Sequence, residues 1–140
     1  MTIHYTAGPP TQTVWAVAAY QTSDSAAGQT GTGQPFPGLA YTLFVEGDGE
    51  VFLAWDLSVR VWHSGAVVSG EARNLTHIGI CYAGNVEPNQ RQIEGLGHAI
   101  GWCQRQLGRT LTVEGHGDAY STSCPGPKWP EWKTAVLSYV

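Results

Sequence analysis

Charge is scarce in this chain. Of its 140 residues, 13% are Asp, Glu, Lys or Arg, about half the usual share. The balance is acidic, at −4, which removes the basic footprint that nucleic-acid and anionic-membrane binding depend on. The same balance gives no pull towards anionic cell-wall polymers. No apolar run is long enough to cross a bilayer. The opening Met1-Thr2-Ile3-His4 lacks the basic and apolar regions of a signal peptide, so synthesis in the cytoplasm is expected. There are only three cysteines, which cannot all pair internally. Cys81 lies in an apolar, strand-like run and Cys103 on an apolar helical stripe. Both read as buried thiols of a protein made in a reducing compartment.

Glycine and proline, by contrast, are plentiful at 18 and 8, so loops should occupy much of the structure. The length fits one domain, 1–140, with a real core, and neither a repeat nor a linker interrupts it. Residues 2–5 read as a very short strand, trimmed or placed at an edge. Pro9-Pro10 suits a helix start, and residues 11–22 put Val14, Val17, Ala18 and Gln21 on one side at helical spacing. Residues 23–37 read as loop. Residues 41–46 and 50–55 flank Gly47-Asp48-Gly49 as a hairpin. Residues 56–75 form a long irregular segment of the kind that is usually functional. Residues 77–83 are apolar on both alternating faces, as a central strand covered on both sides requires. Residues 88–108 are the clearest helix, with Ile93, Leu96, Ile100, Cys103 and Leu107 on one stripe. Residues 110–115 read as a last strand, and residues 130–139 as a terminal helix with Trp132, Ala135 and Val136 inward. The order β-α-β-β-β-α-β-α implies an α/β domain with a mixed central β-sheet flanked by helices.

The chemistry concentrates near the C-terminus. The stretch Glu114-Gly115-His116-Gly117-Asp118-Ala119-Tyr120-Ser121-Thr122-Ser123-Cys124-Pro125-Gly126-Pro127 puts a histidine and a cysteine eight positions apart among small, turn-forming residues. His4 closes an apolar start at the other end of the chain. Two imidazoles and a thiolate make three ligands, which suits Zn²⁺ with an open fourth position, the arrangement of hydrolytic zinc. Gly115 and Gly117 let the backbone bend around His116. A cysteine followed by proline in a glycine-rich loop packs poorly, which also favours a ligand. Spacing alone leaves a second reading open, in which these are two loop histidines and an ordinary cysteine. Asp118 reads as a loop-ordering side chain or as a partner that supports a ligand, and not as a ligand itself, and His77 and His98 read as bystanders.

This loop resembles that of the zinc-dependent N-acetylmuramoyl-L-alanine amidase family, whose fold is that of phage amidase-type lysozymes and peptidoglycan recognition proteins. Four further segments agree in order and spacing. They are Ile3-His4-Tyr5-Thr6-Ala7-Gly8-Pro9, Ala40-Tyr41-Thr42-Leu43-Phe44-Val45-Glu46-Gly47-Asp48-Gly49, Trp62-His63-Ser64-Gly65 and Asn74-Leu75-Thr76-His77-Ile78-Gly79-Ile80-Cys81-Tyr82-Ala83-Gly84-Asn85. The resemblance runs from about Thr2 to Trp129. It implies Zn²⁺ held by His4, His116 and Cys124. It implies a catalytic Tyr41 beside the metal, donating to an oxyanion or orienting the attacking water. It places His63 on the cleft wall as a substrate-binding group, with proton transfer as a further role. At Thr122 the chain departs from phage lysozymes, which often carry lysine there, and agrees with recognition-protein amidases. A catalytic Thr122 hydroxyl donates one hydrogen bond but brings no charge. Glu46, Glu50 and Glu114 are available carboxylates, and none has a motif to mark it as general base.

The implied reaction is hydrolysis of the amide between the lactyl group of N-acetylmuramic acid and the L-alanine of the stem peptide. The implied partner is bacterial peptidoglycan, with no nucleic acid, no membrane and a monomeric chain. The implied setting is a phage or prophage endolysin, made in the cytoplasm and acting on the wall after release. Two rivals belong to other classes. A non-catalytic peptidoglycan-binding module of the same fold typically loses the cysteine ligand, which is present here. A cysteine hydrolase with Cys124 as nucleophile and His116 as base explains neither His4 nor the Tyr41 hairpin.

Overall fold

The two ends of the chain meet in one sheet. A computed structural model describes residues 1–140. In it β1 (Thr2–Tyr5) pairs in parallel with β7 (Glu114–Gly115), Thr2 opposite Glu114 and Ile3 opposite Gly115. On its other side β1 pairs in parallel with β6 (Gly79–Tyr82), and β6 with β2 (Leu43–Val45). The last strand, β3 (Val51–Leu53), runs antiparallel to β2, so the order is β3-β2-β6-β1-β7. This is the mixed sheet expected from the element order. The edge placement expected for β1 is overturned, because β1 lies between β6 and β7. Thr2, Ile3 and His4 are all 2% exposed or less. Position in a sheet is a property of topology, and four local residues carry no trace of it.

Side chains alternate across the strands. Ile3, Leu43, Val45, Ile80 and Tyr82 pack against α3 (Gln90–Leu107) through Leu96, Ile100 and Cys103, and against α5 (Trp129–Leu137) through Trp129, Trp132 and Val136. Phe44, Cys81 and Ala83 pack on the opposite face against Val14 and Val17 of α1 (Val14–Gln21). Each such aliphatic side chain contributes about 1.5–3 kcal/mol by burial. His4 follows Ile3 and therefore falls on the α1 face. The helix α3 is closed at its start by a capping box between Asn89 and Gln92 and at its end by Gly108 in the left-handed conformation, as its sequence boundaries suggest.

Several boundaries move. The helix α1 starts at Val14, capped by Thr13, whose hydroxyl accepts from Ala16 N. Pro9 and Pro10 lie earlier, in a turn closed by Gln12 N donating to the Pro9 carbonyl at 3.1 Å. The prolines deliver the chain to the helix instead of opening it. Residues 23–37 contain a 3₁₀ helix, Asp24–Gln29, anchored by Ala26 against Phe36 and Ala40. The long segment 56–75 holds a small hairpin of β4 (Val67–Val68) and β5 (Glu71–Ala72), then a single turn, α2 (Arg73–Thr76). The last strand shortens to β7, because the N-terminal amine takes the Thr112 carbonyl and only Glu114 and Gly115 keep register with β1. No helix is long and apolar enough to cross a membrane.

Candidate metal centre

Sheet register brings the two distant histidines together. Ile3 and Gly115 are partners, so the residues that follow them in the chain, His4 and His116, stand with ring centroids 4.5 Å apart. His116 opens the short helix α4 (His116–Ala119). Asp118 holds this turn as expected: one carboxylate oxygen accepts from Gly115 N and from Trp129 Nε1, each at 2.8 Å. Cys124 then folds back. Its carbonyl accepts from Gly117 N at 2.6 Å, its amide donates to Thr122 Oγ1 at 3.2 Å, and its Sγ accepts from Tyr5 N at 3.4 Å. A Cβ at Gly117 would lie 2.9 Å from the carbonyl oxygens of both Thr122 and Cys124, so glycine is what permits this close return. One ligand atom from each of His4, His116 and Cys124 lies within 4.8 Å of the others, and His4 Nδ1 is 3.7 Å from Cys124 Sγ.

These donors fit a zinc ion. His116 Nε2 is buried without a hydrogen-bond partner, a costly condition for a polar atom that a cation relieves. Tetrahedral zinc, at about 2.0–2.1 Å from nitrogen and 2.3 Å from sulfur, needs ligand atoms roughly 3.3–3.8 Å apart. The His4–Cys124 separation falls in that range, and the cluster as a whole, within 4.8 Å, is looser than it.

Burial sets the charge states. It holds His4 well below the ordinary histidine range, and the neighbouring His63 and His116 rings add to the effect. It lowers His63 to about 4 against the opposing pull of the His77 carbonyl, and it also lowers His116. The imidazoles are therefore neutral and offer lone pairs near neutral pH. Burial raises the Cys124 thiol to about 11, against the Tyr5 amide bond. A divalent cation reverses this by favouring the thiolate.

The remaining expected residues are distributed unevenly. The Tyr41 ring stands 5.4 Å from His4, centroid to centroid. Burial, then the nearby Cys81 and Cys124 sulfurs, raise the pKa of its phenol well above the tyrosine range. Thr122 is exposed; its oxygen accepts from Cys124 N and its proton stays free. His63 departs from expectation. It is 5% exposed, its Nδ1 lies 3.0 Å from His4 Nε2, and its Nε2 lies 3.1 Å from the His77 carbonyl oxygen. The structure places it behind His4, with both nitrogens occupied, and not on an open wall.

His77 is a bystander only in its side chain, since its carbonyl is the acceptor for His63. A backbone acceptor leaves no signal in residue type, which is why sequence reasoning passes over it. His98 is exposed on α3. Glu50 is exposed, and the other two carboxylates are committed elsewhere. Glu46 accepts from Val14 N at 2.8 Å, and Glu114 pairs with Arg73 at 2.9 Å and accepts from Thr2 Oγ1. Beside Tyr41 opens a cavity of about 380 Å³, lined by Thr6, Gly8, Gln12, Tyr20 and Gln29 among others, with no charged side chain.

A family model described as N-acetylmuramoyl-L-alanine amidase matches residues 1–127. A Drosophila melanogaster peptidoglycan-recognition protein is 26% identical over 110 residues, covering 70% of this chain and 57% of that protein. The chain thus spans little more than half the length of the curated relative it matches. Among solved structures, the endolysin N-acetylmuramoyl-L-alanine amidase LysCS from Clostridium intestinale superposes with a TM-score of 0.71 at 18% identity, covering 97% of this chain and 81% of that one. The Ph2119 endolysin, from a Thermus scotoductus bacteriophage, superposes with a TM-score of 0.70 at 17% identity, covering 99% and 82%. At these identities the likeness shows a shared fold.

Proposed function

Since the chain belongs to the N-acetylmuramoyl-L-alanine amidase family, we propose that it hydrolyses the amide between the N-acetylmuramic acid lactyl group and the stem-peptide L-alanine of bacterial peptidoglycan, with Zn²⁺ as cofactor. The observation that carries this reading is the convergence of His4, His116 and Cys124, with one ring nitrogen among them, His116 Nε2, buried and unpartnered. These three residues would hold the metal. When bound, zinc supplies Lewis acidity for the scissile carbonyl and makes water a better nucleophile.

The chain's own groups do the rest. Tyr41 and Thr122 are neutral donors beside the ligand set. Burial keeps the Tyr41 phenol protonated, and Thr122 accepts one hydrogen bond without giving up its proton. Either can donate to the carbonyl oxygen as charge develops there. No carboxylate joins the ligand cluster, so the proton given up by the attacking water would reach the departing alanine nitrogen by relay through one of these hydroxyls, which regains a proton as it gives one, or through solvent. His63 is withdrawn from that role by its bond to His4.

Likeness to two proteins named as endolysins supports the role of a phage or prophage endolysin, with residues 1–140 as a single, monomeric catalytic domain. The relative named as a recognition protein supports a second reading, a module that holds muropeptide without cutting it. Cys124 favours cutting, because it completes the three-donor set of hydrolytic zinc.

Mass spectrometry of digested peptidoglycan tests the assignment. The expected products are free stem peptides with new alanine amino termini and glycan strands of unchanged length. New reducing sugar ends would mean a glycosidase, and new amino termini within the stem or cross-bridge an endopeptidase. Intact muropeptide recovered from a zinc-loaded chain would establish the binding module.

A further inference from the structure

The segment 56–75 delivers one buried imidazole, His63, that belongs neither to the ligand cluster nor to the surface. We propose that His63 is a positioning residue: it accepts the Nε2 proton of His4 and so leaves the Nδ1 lone pair of His4 aimed at the ligand cluster. The proposal rests on the zinc reading above.

The hydrogen-bond directions are set from the far end. The His77 carbonyl oxygen can only accept. His63 Nε2, 3.1 Å from it, therefore carries a proton. The ring is neutral, because it is 5% exposed and its partners are a carbonyl and another imidazole. A neutral imidazole has one N–H, so His63 Nδ1 is an acceptor. At 3.0 Å it faces His4 Nε2, which must then donate. His4 carries its proton on Nε2, and its Nδ1 is bare, 3.7 Å from Cys124 Sγ. The sequence of steps starts at a backbone carbonyl and ends with a lone pair directed at the other two ligands. No step of it assumes a metal.

The surroundings are built to hold His63 there. A Cβ on Gly79 would lie 2.5 Å from His63 Cγ and 2.6 Å from His63 Cβ, so the glycine on β6 is a hollow filled by this ring. Asn74 Oδ1 accepts from Ser64 N at 2.7 Å, fixing the next residue. Val61 and Ser64 are each 4% exposed. Thr2 of β1 pairs with Gly79 of β6, so the strand carrying the ligand is tied to the strand that cradles its partner. Rotation of His4 about its side-chain bonds would break the His63 contact, which makes the His4 orientation a consequence of His63.

Zinc affinity, read by competition with a chromophoric chelator, tests the proposal without turnover. His63→Ala should weaken zinc binding about 10–100-fold with all three ligands retained. His63→Gln, whose side-chain oxygen can accept from His4, should recover part of the loss. Unchanged affinity in His63→Ala would overturn the proposal and return His63 to substrate binding. If His63→Ala does not fold, long-range ¹H–¹⁵N spectra of the unsubstituted, zinc-loaded chain decide. They should show protons on Nε2 of both His4 and His63, and a proton on His63 Nδ1 overturns the proposal. An unsubstituted chain that binds no zinc overturns the underlying zinc reading instead, and spectra of the metal-free chain then test the hydrogen-bond polarity separately.

Discussion

His4 and His116 stand 4.5 Å apart, ring to ring, because β1 and β7 pair Ile3 with Gly115. The third donor is held by the same strand, through Tyr5 N and Cys124 Sγ. The candidate ligands come from both ends of the sequence, so a metal between them would tie β1 to the C-terminal loop. Metal content and stability are therefore one measurement seen two ways.

Elemental analysis should give one zinc per chain, and Cys124→Ala should lose most of it. Full stoichiometric zinc in that variant would refute the ligand assignment. A chelator should also lower the melting temperature. With free zinc at about 100 times its dissociation constant, binding adds about 2.7 kcal/mol, or roughly 8 °C for a chain of this length. An unchanged melting temperature would separate the metal from the fold.

Tyr41→Phe should keep both the fold and the zinc, since the ring contact with His4 remains. Loss of one oxyanion donor costs about 10²–10³ in rate, and a defect of that size should appear in turnover with little change in substrate binding. The alternative is specific: the hydroxyl is a packing group beside Cys81 and meets no oxyanion. In that case turnover stays near that of the parent and stability alone falls.

The metal-free chain should lose stability in mild acid. Burial depresses His4, His63 and His116 in the folded state, whereas the unfolded chain titrates near 6.5. Below that pH the unfolded state binds more protons, so stability is complete above about 6.5 and declines as pH falls. His63, at about 4 when folded, alone accounts for about 3 kcal/mol lost across that window. Urea midpoints of the metal-free protein at pH 7.5 and 5 measure this, and equal midpoints would contradict a neutral, buried histidine cluster.

What the sequence disclosed depended on whether residue type carries the information. The double apolar face of residues 77–83 and the stripe on residues 88–108 are packing signals, and both elements formed where expected. The spacing of His116 and Cys124 is a ligand signal, and with His4 those residues converge. The place of β1 within the sheet is topological, so four residues could not announce it. The direction of His63 depends on a hollow at Gly79 and on a backbone carbonyl, neither of which has a compositional mark. Glu46 looked free because a carboxylate that caps α1 and one that works in a cleft read alike.

Asp118 offers the sharpest separation of support from ligation, because it makes no hydrogen bond to the side chain of a candidate ligand and yet fixes the turn that His116 begins. Its carboxylate takes two donors, Gly115 N and Trp129 Nε1, and both residues are buried. Asp118→Ala would leave those donors unsatisfied, at a cost of about 1–3 kcal/mol each, so the denaturation midpoint should fall clearly. Zinc affinity should fall as well, since the start of α4 loosens and His116 with it. Asp118→Asn retains a side-chain oxygen that can accept from both groups and should lie between the parent and the alanine variant on both scales. Calorimetry and chelator competition on the three proteins check the pattern. Parent-like zinc affinity in Asp118→Ala, alongside a lowered midpoint, would show that the turn stabilises the fold without orienting His116.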